Sequence, residues 1–245
     1  MKAKIIMLSA LGVASFGLTQ AASAGWDSGA CPQPHTGPAP CIEHYDASTG
    51  TTTHFNGSGS HAGDWHGNPA TGAPFTFKGR TNLTCGFASV ECDLALDGKV
   101  RKVYDTANNT WKVGIEVSNA TVDNGTFCGA VTVGGFEWYM NEDAPHPLPP
   151  KYNDDNDVGI PYDINATPPI TMQAIIGPID VSVPILGINV SNGHMHNVTY
   201  DNTNTFSFGT DWRDPVIYDE NDDPTNCEVS GDLELEDTGD TLTIY

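Results

Sequence analysis

From Pro74 onward, apolar and polar residues alternate with a period of two, the spacing of strands that bury one face and wet the other. In FTFKGRTNLTC (75–85), Phe75, Phe77, Leu83 and Cys85 share one parity, and Thr76, Lys78, Arg80, Asn82 and Thr84 share the other. WKVGIEV (111–117) sets Trp111, Val113, Ile115 and Val117 against Lys112, Gly114 and Glu116. CEVSGDLEL (227–235) sets Cys227, Val229, Gly231, Leu233 and Leu235 against Glu228, Ser230, Asp232 and Glu234. Between such runs stand Asp97-Gly98, Asp123-Asn124-Gly125, Asn192-Gly193 and Thr238-Gly239, residues that tolerate the backbone of tight turns. No window carries a capped helical stripe. The pattern predicts an all-β chain, an antiparallel β-sandwich.

Two stretches fall outside the alternation. Residues 25–72 are rich in Gly, Pro, Ser, Thr and His and poor in aliphatics, which predicts an irregular N-terminal arm before a β-domain spanning 73–245. Residues 141–169 are dense in Pro and Asp, and each proline removes a ladder donor, so they predict a surface excursion. Residues 1–24 read as a secretory signal: Lys2 and Lys4, an apolar run from Ile5 to Leu18, and Ala22-Ser23-Ala24 before Gly25. The other apolar stretch, Ala174 to Val190, contains Pro178, Asp180 and Pro184 and does not read as a membrane span.

Export changes the meaning of the composition. The 245 residues carry 10 Lys and Arg against 31 Asp and Glu, a net charge of −21, which disfavours phosphate backbones and suits divalent cations as counter-charges. Six cysteines in an exported chain read as disulfide candidates: Cys31, Cys41, Cys85, Cys92, Cys128 and Cys227. Cys31 and Cys41 enclose a short Pro/Gly loop and make the simplest pair; the other four stay unassigned. FCGAVTVGGFEWYM (127–140) reads as a strand interrupted at Gly134-Gly135. There Cys128 pins one part, the glycines permit a bulge, and Phe136 and Trp138 pack into the core or a hydrophobic seam.

Candidate chemistry is sparse. His54, His61 and His66 crowd the arm without a fixed ligand spacing, whereas His194 and His196 in NGHMHN would face one side of an extended strand, a pair suited to copper or zinc. Asp154, Asp155 and Asp157 in NDDNDVG, with Asp219, Asp222 and Asp223 in DENDD, supply hard oxygens for calcium, though neither run matches an EF-hand loop. No G-x-S-x-G or H-E-x-x-H occurs, and no nucleophile has its base in sequence reach, so the chain predicts no enzyme and requires no cofactor. Ile175, Ile176, Ile185 and Leu186 lie in the aliphatic stretch that would best line an apolar ligand cavity.

CGAVTVGGFEW (128–138), preceded by SNATV, resembles a segment of the exported bacterial family called protein activator of alkane oxidation; CEVSGDLEL (227–235) resembles that family's late cysteine and strand. The resemblance covers about 75–245 without the excursion, and the histidine-rich arm and strong acidity depart from it. It implies a secreted, non-catalytic β-protein of the cell surface or matrix that aids growth on hydrophobic substrates or contributes to biofilm. Partners would then be other surface proteins, further copies of the chain or hydrophobic small molecules. An apolar-ligand carrier and a secreted metal-dependent enzyme using the histidines are the alternatives.

Overall fold

The computed structural model of the chain describes residues 25–34, 37–55, 63–143, 151–163, 165, 171–209 and 216–245. The leader reading of residues 1–24 therefore lies outside the described residues, as do His61 and part of the excursion. Two short 3-10 turns, Cys128–Ala130 and Pro184–Leu186, are present, and the described residues contain no α-helix. None of their helices is long and apolar enough to cross a membrane.

Fifteen strands form among the described residues, in chain order. They are β1 (Asp27–Ser28), β2 (Ile42–Asp46), β3 (Thr51–Phe55), β4 (Phe75–Cys85), β5 (Ala88–Asp105), β6 (Thr110–Asp123), β7 (Thr132–Gly134) and β8 (Trp138–Glu142). β9 (Ile160–Pro161), β10 (Met172–Val183), β11 (Ile188–Tyr200), β12 (Thr205–Phe208), β13 (Val216–Tyr218), β14 (Pro224–Leu235) and β15 (Thr241–Ile244) follow. The all-β, antiparallel expectation holds, but two stacked sheets do not form. Starting from β14, the pairing runs through β4, β5, β6, β8, β10 and β11, then back to β14 through β12 and β13, which share one place at different heights. The result is an eight-stranded closed barrel. Closure removes the unpaired edges that a sandwich would leave.

The interrupted strand is real, but its break is not a bulge. β7 and β8 both pair with β10, Val133 opposite Val181 and Met140 opposite Ile176, so 135–137 leave the ladder between them. Gly135 makes this possible: its φ is +83°, and a Cβ there would stand 2.9 Å from the Pro178 carbonyl oxygen. Trp138 is buried and Phe136 stacks on it at 4.8 Å between ring centroids, the packing role expected for both.

The alternation of β4 buries Phe75, Phe77 and Cys85 as expected. β6 departs from it. Lys112, Gly114 and Glu116, expected in water, are buried along with Val113, Ile115 and Val117. The cause is what lies over that face: Lys112 donates to the Asp157 carbonyl of the excursion, and Arg101, held by Asp154, lies with Trp65 of the arm over Gly114. The excursion also pairs beside β6, Ile160 opposite Val113. The arm is not irregular either. β1, β3 and β2 join β15 in a four-stranded sheet, with Thr241 opposite Tyr45 and Ile244 opposite Ile42. The far edge of β15 is engaged too, since Leu242 N–H donates to the Thr203 carbonyl and Asn202 exchanges bonds with Ile244. Leu242 and Ile244 line the barrel interior beside Phe75, Phe77, Tyr200 and Phe206, so this sheet closes one side of the core.

Three disulfides form, Cys31–Cys41, Cys85–Cys227 and Cys92–Cys128, leaving no free cysteine. They imply an oxidising environment. Cys85 and Cys227 are directly opposed across β4 and β14.

Candidate metal centre

In β11 the two-residue period turns Met195 into the core, where it is 2% exposed, and sends His194 and His196 to the other face. That face is covered around His194, whose ring lies against Tyr218 (5.7 Å between centroids) and Tyr152 (5.8 Å). Tyr218 stands directly opposite His194 in β13. Gly177 of β10 leaves the room: a Cβ there would meet Cζ of Tyr152 at 3.0 Å and Cβ of His194 at 3.1 Å.

The turn after β13 delivers the third group. Asp219 holds it by accepting the backbone N–H groups of Asn221 and Asp223. Asp222, with φ +65°, takes a left-handed conformation that aspartate tolerates better than most residues. Its Oδ1 lies 2.9 Å from Nε2 of His194 and 2.9 Å from Nε2 of His196. A fourth residue, Asp143 at the end of β8, places Oδ1 2.9 Å from Nδ1 of His196, while its Oδ2 accepts the N–H of Asn197. Both imidazoles thus meet one carboxylate oxygen, and a second carboxylate orients one ring from behind.

Electrostatics differ between the two rings. The bond to Asp143 raises the pKa of His196 against the effect of burial, with Asp222 adding to the rise. Burial lowers that of His194 more than its bond to Asp222 restores. For Asp222, burial works against the charge, but the bonds from His196 and His194 prevail and hold its carboxyl below the usual range. Both ring nitrogens of His196 thus face a carboxylate oxygen, Nδ1 that of Asp143 and Nε2 that of Asp222, while Nε2 of His194 faces Asp222 alone. Burial, then the charges of Asp222 and Asp143, push the Tyr152 phenol far upward. Its hydroxyl is buried and has no hydrogen-bond partner among the described residues.

Replacing the two Nε2 protons by a metal leaves a two-imidazole, one-carboxylate set. The three ligand atoms lie within 4.8 Å of one another, and no other group of three such residues occurs among the described residues. Tetrahedral ligands at zinc distances stand roughly 3.3 Å apart, so the 2.9 Å contacts must open by only a few tenths of an ångström. Asp143 on Nδ1 is the outer carboxylate that fixes a ligating histidine's tautomer. The centre adjoins a shallow pocket of about 360 Å3 lined by Asp143, Gln173, His196, Asn197, Tyr218 and Asp222.

The remaining candidates are not brought together. His54 bonds to the Gly29 carbonyl, and His66 is buried, bridged to Val100 and packed on Trp26 and Phe55. In the acidic excursion, Asp154 bonds Arg101 and Trp65, the Asp155 carbonyl accepts from Arg101, and Asp157 meets Lys151 and, through its carbonyl, Lys112. These oxygens turn toward the chain's own cations and do not converge on one point. Asp219 accepts the backbone of its own turn, and Asp222 bonds the two histidines. Ile175 and Ile176 are buried core, and Ile185 and Leu186 are exposed at the Pro184–Leu186 turn, so the four do not line one cavity. Asp143, Tyr152 and Tyr218 carried no signal in the sequence, because only the barrel's closure sets them beside β11.

No protein-family model matches the chain, and neither does any curated protein or solved structure.

Proposed function

We propose that this is an exported, disulfide-braced β-barrel that holds one divalent transition-metal ion, copper or zinc, at His194, His196 and Asp222. It works as a binding protein of the cell exterior. The observation that carries this reading is the convergence of both Nε2 atoms on one oxygen of Asp222, with Asp143 behind His196. Imidazole nitrogens with one carboxylate suit copper and zinc, and the Irving–Williams order favours copper between them. The leader motif and the three disulfides support export.

The alternative of an apolar-ligand carrier would call for a lined chamber. The barrel interior leaves about 30 Å3, against roughly 300–1,000 Å3 for small-molecule pockets, which favours the metal reading over the carrier. Self-assembly by strand exchange finds little support in a barrel whose β15 is paired on both sides. A metal-dependent enzyme remains a second reading, favoured by the pocket beside the centre, where a bound water would be exchangeable.

The test is calorimetric titration of the disulfide-intact chain with CuCl2 and ZnCl2, alongside the His194→Ala/His196→Ala double variant. One equivalent bound by the native chain and lost in the variant is expected. Equal binding by both would remove the centre. Ester or phosphoester hydrolysis that appears with zinc and vanishes in the variant would promote the second reading.

A further inference from the structure

One end of the barrel gathers the apolar side chains that the core does not use. In the closed antiparallel sheet β4, β6 and β10 run in the same direction, so the connections that follow them share one rim. The turn after β4 presents Phe87, wholly exposed, the loop after β6 presents Phe127, and the turn after β10 presents Ile185 and Leu186. Apart from Tyr45 in the small sheet, these four are the only large apolar side chains exposed among the described residues. Exposed apolar residues scattered singly need no explanation; gathered at one end they mark a contact. Charge avoids the same places. Residues 81–90, 124–136 and 181–200 hold no Asp, Glu, Lys or Arg, in a chain of which 17% is charged.

The fourth connection at this rim, between β13 and β14, is the acidic DENDD (219–223). It is set back: Tyr218 stands opposite His194, and β11 begins at Ile188, roughly 20 Å further along the strand at about 3.3 Å per residue. Tips from three separate connections, uncharged and spaced around a rim, suit a fluid layer in which each side chain finds hydrocarbon for itself. With no basic residue in these runs and a net charge of −21, the chain has nothing to draw it to anionic headgroups. We infer that this rim seats on a zwitterionic lipid surface, with Phe87, Phe127, Ile185 and Leu186 entering the headgroup boundary and the acidic turn remaining in water.

The experiment is co-sedimentation of the full, disulfide-intact chain with phosphatidylcholine vesicles in EDTA, so that the outcome does not depend on the metal centre. The native chain is expected to sediment with the vesicles. Phe87→Ser/Ile185→Ser is expected to bind them at least about tenfold more weakly, and Tyr45→Ser as well as the native chain does. Adding phosphatidylglycerol is expected to weaken binding, most at low salt. No sedimentation of the native chain, or equal binding by the double variant, would overturn the inference. So would size-exclusion showing a dimer that the double variant dissolves, which would assign the rim to a second copy of the chain. Near-ultraviolet circular dichroism of each variant checks that the barrel is intact.

Discussion

Asp143 and Lys102 show opposite ways in which single side chains meet burial. Asp143 does not touch the proposed ion, yet it fixes the Nδ1 proton of His196 and so decides which nitrogen faces the ion. Asp143→Asn is expected to weaken copper binding by roughly 10- to 100-fold. Because that carboxylate is the main cause of the raised His196 pKa, protons compete for Nε2 up to a higher pH in the native chain. Affinity should therefore rise with pH in both proteins, with the rise displaced to lower pH in the variant; titrations between pH 5 and 8 check this. Lys102 is fully buried, its amine has no hydrogen-bond partner among the described residues, and the Phe55 ring lies 5.2 Å away. Burial brings its pKa down from 10.5 to about 8, with Asp27 opposing the drop. Between those values the unfolded chain holds a proton that the folded chain has released, so this group adds stability as pH rises through the window and withdraws it as pH falls toward 8. The full effect is about 3 kcal/mol. Lys102→Met should stabilise the protein at pH 7 by about 1–3 kcal/mol, with the gain shrinking toward pH 10. Urea unfolding at both values measures it, and a variant less stable at pH 7 would mean that the ring and Asp27 hold the ammonium better than burial penalises it.

At the level of elements, alternation was readable where a strand has one wet face. FTFKGRTNLTC coincides with β4, and CEVSGDLEL lies within β14. It misled in β6, because a period of two reports the two faces of a strand and not what later covers the outer one. β2 and β3 escaped notice since TTTHF is short and polar, and the sheet they form is completed by β15, far along the chain. The histidine pair was legible from its spacing on one strand. Its acids were not: Asp222 arrives from a turn and Asp143 from the end of β8, and neighbour relations around a closed barrel are not written in local pattern. Curvature is likewise hidden, although glycines hint at it. At Gly79 in β4, a Cβ would stand 1.9 Å from the Asp232 carbonyl oxygen of β14, a backbone atom that cannot step aside. Gly79→Ala should force the two strands apart and cost about 3 kcal/mol or more, read from thermal unfolding. Gly129→Ala, where nothing lies within 4 Å, serves as the mild control. Equal melting of the two variants would mean that the β4–β14 seam yields easily.

For the molecule as a whole, the question is what keeps a barrel with its first and last large strands side by side from opening. β4 and β14 form that seam, and Cys85–Cys227 crosses it with a sequence separation of 142, against 10 for Cys31–Cys41. A crosslink restricts the unfolded chain more as the loop it closes grows, by about 5 kcal/mol for the long loop against about 3 for the short one. Cys85→Ala/Cys227→Ala should therefore lose about 2 kcal/mol more than Cys31→Ala/Cys41→Ala, provided that the paired backbone holds the native seam in place without sulfur. The ladder there supports that condition, since register is continuous from Cys227 opposite Cys85 to Leu235 opposite Phe77. Guanidinium unfolding of both variants, with the other disulfides intact, gives the comparison. If the short-loop variant lost as much, the small sheet that Cys31–Cys41 anchors beside β15 would be contributing to barrel closure itself. Stability would then reside in the closing of the core by Leu242 and Ile244 more than in the limit on the unfolded chain.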